Sequence, residues 1–244
     1  MEELLNRNAV IDITQCPFED TALHMAAGIG HVDVMAKLIS RGANPNAYSD
    51  YSGLVINAAI ASGNFKAVEL LVQKGVLPTV PTTQSRETQR PLEQAAEMTD
   101  ISMLDCLIEQ FKDKIPPEDY SKAMVAAAGA GRLAAFNKLL GFEHTDEWFQ
   151  KALDSAAAHG KWDIMPLILK SRRGLNCDEA FYQAAVSTEN KDKSLGILWE
   201  YSDGTVSKEK LSQSLYEATD NQKLSTVTIL LDTFAADPNA TGEE

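Results

Sequence analysis

The stretch Thr21-Ala22-Leu23-His24-Met25-Ala26-Ala27-Gly28-Ile29-Gly30-His31-Val32-Asp33-Val34, continued by Arg41-Gly42-Ala43-Asn44-Pro45-Asn46, decides the fold. Leu23, Ala26 and Ala27 share one face of a short helix that Gly30 ends. A second helix starts at His31, and Val34, Met35, Leu38 and Ile39 make its buried stripe. Gly42 follows where a left-handed residue closes a helix, and Asn44-Pro45-Asn46 turns the chain away. One such unit cannot bury its apolar stripe alone, so it should recur.

It recurs. About 33 residues on, Ile56, Asn57, Ala59, Gly63, Ala67, Val68, Leu71, Val72 and Gly75 repeat the pattern of Leu23, His24, Ala26, Gly30, Val34, Met35, Leu38, Ile39 and Gly42. Later copies keep the register with fewer identities, and the anchoring apolar position falls at Leu23, Ile56, Leu92, Met124, Leu153, Phe181 and Leu215. The spacing wanders around the low thirties, as loop insertions make it do in a structural repeat.

The array resembles the ankyrin repeat family, whose unit is a β-turn and two antiparallel helices with a T-P-L-H-x-A signature. Thr21-Ala22-Leu23-His24-Met25-Ala26 matches all but the proline, and Arg90-Pro91-Leu92-Glu93-Gln94-Ala95 supplies that proline without the threonine or histidine. Gly30-His31 and Gly42-Ala43-Asn44-Pro45-Asn46 match the family's inter-helix turn and exit loop. The resemblance implies an all-α ankyrin-repeat α-solenoid forming one domain over residues 1–244. It begins with a partial repeat at 1–15, followed by repeats at about 16–48, 49–84, 85–116, 117–145, 146–173, 174–207 and 208–240. Thr99, and Asn190 or a neighbour, stand where the third and sixth copies should carry a glycine, so the array should open first around 176–215.

Leu4-Leu5 through Asp12 reads as the tail of a second helix and its exit loop, and Ala236-Asp237-Pro238-Asn239-Ala240 mirrors Ala43-Asn44-Pro45-Asn46-Ala47. This suggests a piece of a longer ankyrin protein, or one with ragged ends.

Composition narrows the function. A net charge of −13 repels phosphate backbones, so nucleic acid is not expected as a partner. Cys16, Cys106 and Cys177 are scattered and show no metal-binding spacing; Cys106 is expected inside a buried helix. Their pattern suits a reducing compartment. No signal peptide or membrane-spanning run stands out, which suggests a cytoplasmic or nuclear protein.

No catalytic motif, cofactor or metal site is expected. His24 and the Thr21 hydroxyl should tie the turn to the helix, and His31 occupies a structural family position. The Glu143-His144-Thr145-Asp146-Glu147 run lacks the spacing of a zinc or calcium site and reads as an acidic helix start. His159 is the histidine best placed for function, and a small pocket with Trp148, Tyr120 and Glu118 is conceivable.

The family resemblance puts partner contacts on the fingertip turns and the concave ends of the first helices. There the residues singled out are Tyr48, Tyr51, Arg86, Arg90, Met98, Tyr120, Trp148 and His159. Tyr and Trp are binding anchors elsewhere, although aromatics at such positions also pack between fingers. The polar loop over 77–90, with Arg86 and Arg90, reads either as a tolerated insertion or as a finger for an acidic partner segment. Three functions fit: a monomeric module binding a protein or peptide, a structural or regulatory array inside a larger protein, and a small-molecule binder or enzyme using the groove near His159.

Overall fold

The computed structural model describes residues 12, 20–76, 90–187, 191–202 and 204–239. These form two compact units, residues 1–123 and 124–244. Both are built from helical hairpins.

In the first unit the hairpins are α1 (Ala22–Ile29) with α2 (Val32–Ser40), α3 (Val55–Ala61) with α4 (Phe65–Gln73), and α5 (Pro91–Glu97) with α6 (Ser102–Phe111). A two-residue ladder, β1 (Tyr48–Ser49) and β2 (Gly53–Leu54), joins the first two, with Tyr48 opposite Leu54 and Ser49 opposite Gly53. The division between units falls within α7 (Pro117–Gly129). The second unit continues with α8 (Leu133–Leu139), α9 (Asp146–Ala158), α10 (Met165–Ser171), α11 (Asp178–Val186), α12 (Lys191–Tyr201), α13 (Lys208–Asp220) and α14 (Leu224–Asp232). First helices pack on first helices: α1 on α3 on α5 in one unit, α9 on α11 on α13 in the other. Second helices do likewise.

The anchors explain why. All seven predicted apolar anchors, from Leu23 to Leu215, are buried. Ala26, Ala27, Ala59, Ala95, Ala96, Ala156, Ala157, Ala184 and Ala185 fill the same face of the first helices, where small side chains let neighbouring helices approach closely. Gly30 and Gly42 sit at φ 74° and 98°, so the predicted helix stops are left-handed. Cys106 departs from expectation: it is half-buried, on the flank of α6 rather than in its core stripe.

The position immediately after the anchor proves to be a latch to the following hairpin in three of the seven copies, a role the periodicity does not show. His24 joins α1 to the next turn through its Nε2–H donated to the Gly53 carbonyl (3.1 Å), while its Nδ1 accepts from the Thr21 hydroxyl (2.9 Å). Asn57 Nδ2 donates to Gln94 Oε1 (3.0 Å). Tyr182 lies 5.0 Å beneath Lys210 Nζ. The equivalent Tyr216 is 66% exposed.

Candidate interaction surface

The fingertip between β1 and β2 is braced from inside. Ser49, itself buried, accepts the backbone N–H groups of Tyr51 (3.1 Å) and Ser52 (3.3 Å) on its hydroxyl oxygen. The Ser52 hydroxyl donates to Asp20 Oδ2 (2.8 Å), and Gly53 is fixed by His24. Tyr51 therefore projects from a turn whose backbone is already tied down, with 69% of its surface in water. Tyr48 is half-buried in the ladder. On α1, Met25 and Ile29 are 57% and 61% exposed, and their i, i+4 spacing puts them on one face.

Burial favours the neutral form of the latch histidine. Desolvation lowers the pKa of His24 against the hydrogen bond to Gly53 and the charges of Asp20 and Asp12, which push it up. Asp12 accepts the Asn44 N–H on its carboxylate (3.1 and 3.3 Å).

Arg90 does not stand free at a fingertip. Its guanidinium is ion-paired with Asp119, which is 1% exposed, and lies 3.9 Å from Glu93. Burial raises the pKa of both Asp119 and Glu93, and the Arg90 charge counters it. Arg90 therefore compensates an inward-facing acid. Arg86, and most of the 77–90 loop, lie outside the described residues. Met98 is half-buried at the C-terminal cap of α5.

Tyr120 corrects the sequence reading. It is 5% exposed, with its hydroxyl donating to the Lys112 carbonyl (3.4 Å), because the first turn of α7 rotates it into the core. It is not a surface anchor.

In the second unit, Trp148 is half-buried near the start of α9, with Lys151 Nζ 4.3 Å above its ring and paired to Glu147 (2.6 Å). His159 is the C-terminal cap of α9 and donates Nδ1–H to the Ser155 carbonyl (2.8 Å). A Cβ on Gly129 would clash with the Ser155 hydroxyl, so the missing side chain makes room for that serine. The expected pocket uniting His159 with Trp148 does not form. The two lie at opposite ends of one helix, about 16 Å apart at 1.5 Å per residue. His144 donates Nε2–H to the Leu139 carbonyl (2.8 Å) and meets Phe149 edge-on, a structural placement. Among the described residues no group of three or more His, Cys, Asp or Glu side chains is arranged to hold a metal, and no helix is long and apolar enough to cross a membrane. Burial pushes the Cys177 thiol up to about 11, so it is a packed, inert side chain.

This architecture of stacked hairpins, braced turns and alanine-lined first helices has known counterparts. The family model for ankyrin repeats, in three copies, matches residues 1–82. Residues 1–82 thus match ankyrin repeats. Over 91 residues it is 28% identical to "Putative ankyrin repeat protein FPV014" of fowlpox virus (strain NVSL), a match covering 37% of this chain and 20% of that protein. The chain thus matches about a fifth of that relative's length. Among solved structures, the human ASB11 ankyrin repeat domain aligns with a TM-score of 0.60 at 16% identity, covering 81% of this chain and 90% of that one. The ankyrin repeat domain of Bcl-3 aligns at 0.55 and 17%, covering 78% and 88%. The fold is that of an ankyrin-repeat domain.

Proposed function

We propose that this ankyrin array binds a protein or peptide partner through its fingertips and the exposed ends of its first helices, without chemistry. The observation that carries the reading is Tyr51: a large aromatic held in water by a turn whose backbone is already hydrogen-bonded. Preorganisation of this kind lowers the entropy lost on binding, and tyrosine is favoured among residues that dominate interface energy. Met25 and Ile29 add apolar area on α1, and Trp148 and His159 serve the second unit in the same role. The protein works in a reducing compartment, where Cys106 and Cys177 remain thiols.

Affinity capture with the purified chain, beside Tyr51→Ala and Trp148→Ala variants of unchanged melting temperature, tests this. A partner held by the wild type should bind each variant more weakly, by about tenfold for a hot-spot tyrosine. Equal binding by wild type and both variants would overturn the assignment.

A second reading rests on the chain matching only 20% of the fowlpox protein. Here the array spaces or regulates other parts of a larger polypeptide. Deleting the array from such a parent would then change the parent's behaviour while the isolated chain captures nothing.

A further inference from the structure

Residues 169–175 reverse the charge of the chain locally. In a protein of net charge −13, Lys170-Ser171-Arg172-Arg173 places three cations in four positions with no acid between them. They lie at the C-terminal end of α10 and in the loop after it. With Leu169, Leu175 and Tyr201 they line a cleft of about 440 Å³. That is within the range of roughly 300–1,000 Å³ typical of sites that enclose a small ligand. Its walls are the ends of two consecutive second helices, α10 and α12, so it shares no element with the fingertips and first helices proposed above.

The three cations are not equivalent. Arg172 is occupied: its guanidinium pairs with Asp146 and lies 5.9 Å from the centre of the Phe149 ring. Lys170, in the last turn of α10, is favoured there by the helix dipole. Arg173 is different. The chain leaves the helix through extended backbone at Arg172 (φ −139°, ψ 115°), which carries Arg173 beyond the helix end. Neither Lys170 nor Arg173 has an anionic partner among the described residues. Leu169 forms a buried floor, Tyr201 is half in water at the mouth, and Gly174 faces open space, so the cleft is accessible.

We propose that this cleft binds an acidic peptide segment. Two carboxylates would pair with Lys170 and Arg173 and relieve the repulsion between them. An aliphatic side chain between the carboxylates would rest on Leu169 and Leu175, with the Tyr201 hydroxyl as a further hydrogen-bonding group. A cleft of about 440 Å³ lined by both cations is larger than a single bare anion would fill, which favours a peptide segment. Because both cations are exposed, binding is salt-sensitive.

The test is fluorescence anisotropy of a labelled glutamate–leucine peptide against the full 244-residue chain at about 50 mM salt. Saturable binding is expected, weakened about tenfold or more by Lys170→Glu/Arg173→Glu and weakened also by raising salt to about 300 mM. Lys66→Glu/Lys74→Glu makes the same change in net charge at exposed lysines elsewhere and should leave affinity within about threefold. Circular dichroism melts show whether each variant stays folded. Equal losses in both double variants, or no binding by the wild type, would overturn the proposal. So would displacement of the peptide by inorganic phosphate as efficiently as by unlabelled peptide, since the cleft would then be a plain anion site.

Discussion

The hairpins over residues 20–76 and those over 178–236 close the same architecture with different residues. In the first group every helix stop is a glycine: Gly30, Gly42, Gly63 and Gly75 take φ of 74°, 98°, 68° and 78°. In the second, the equivalent stops around α14 are Gln222 and Ala235, held at φ 55° and 53°. A side chain in that region costs on the order of 1 kcal/mol or more relative to glycine. The joints between hairpins differ as well. Residues 20–76 use side chains bonded to the backbone, His24 to Gly53 and Asn64 Nδ2–H to the Gly30 carbonyl (2.9 Å). Residues 178–236 add rings, with Phe234 5.3 Å from Phe181 and 4.7 Å from Trp199 between ring centres, and an ion pair between Lys210 and Glu179, to backbone latches of their own, in which the Lys223 ammonium donates to the Val186 and Ser187 carbonyls. The later region buries the hydroxyls of Ser194, Ser214 and Thr226 without a partner among the described residues, as the early region does Asp20 Oδ1. Polar latches aimed at the backbone join hairpins in both regions. Where the motif erodes, aromatic packing is added to them and the helix stops tolerate strain.

The sharpest way to break that contrast is to remove a ring. Phe234→Ala should cost roughly 3–5 kcal/mol, since it deletes the side chain that packs on both Phe181 and Trp199. Urea denaturation measures it. A loss under about 1 kcal/mol would mean that the three rings are not what holds this region.

In the early region the matching test is His24→Ala, which strands the Gly53 carbonyl and the Thr21 hydroxyl and should cost about 1–3 kcal/mol. The latch also has a pH signature. The pKa of His24 is lowered by folding from 6.5, so the unfolded chain takes up a proton before the folded one does. Stability from this group is complete above about 6.5 and falls as pH drops through the lowered folded-state value. His24→Gln should flatten that part of the stability–pH curve; an unchanged slope would show that other groups carry it.

These two latches also show what the sequence made legible. The anchors, the helix stops at Gly30 and Gly42 and the Thr21–His24 tie follow from spacing and motif, because each depends on neighbours within one turn. The His24–Gly53 bond, 29 residues apart, and the burial of Tyr120 do not. They depend on the register between hairpins and on how α7 is rotated, neither of which a 3.6-residue period specifies. The surface was read less well for the same reason. Tyr51 is exposed, as a residue at the tip of a two-residue ladder can be read to be. Arg90 appeared as a loose basic fingertip because its partner Asp119 lies on the next hairpin. His159 and Trp148 looked like neighbours in the repeat pattern but occupy the two ends of α9.

Backbone strain gives a smaller and opposite-signed test. Gln222→Gly and Ala235→Gly should each stabilise by up to about 1 kcal/mol, whereas Gly30→Ala should destabilise by about that much or more. At Gly30 a Cβ would also fall 3.0 Å from Asn64 Nδ2, pressing on the bond that Asn64 makes to the Gly30 carbonyl. Native-state hydrogen exchange should show the amides of α11 to α13 opening more readily than those of α1 and α3, with Gln222→Gly narrowing the gap. Equal protection in both regions would remove strain as a difference between them.

The smallest effect separates charge from packing at Lys210. Its ammonium bonds Glu179 (2.9 Å) and lies over the Tyr182 ring, and the bond to Glu179 raises the lysine's pKa while the bond to Lys210 lowers the glutamate's. Both side chains keep part of their surface in water, 25% for Lys210 and 45% for Glu179, so the ion pair should contribute about 1 kcal/mol or less and fade with salt. Lys210→Met removes the charge but keeps a flexible apolar stem over Tyr182. If the joint between α11 and α13 depends on packing, as the ring cluster beside it implies, Lys210→Met will match the wild type within about 0.5 kcal/mol, and Lys210→Ala will cost more. Equal losses from the two substitutions, abolished at high salt, would make charge the stronger part of the joint and bring the later region closer to the polar latches of residues 20–76.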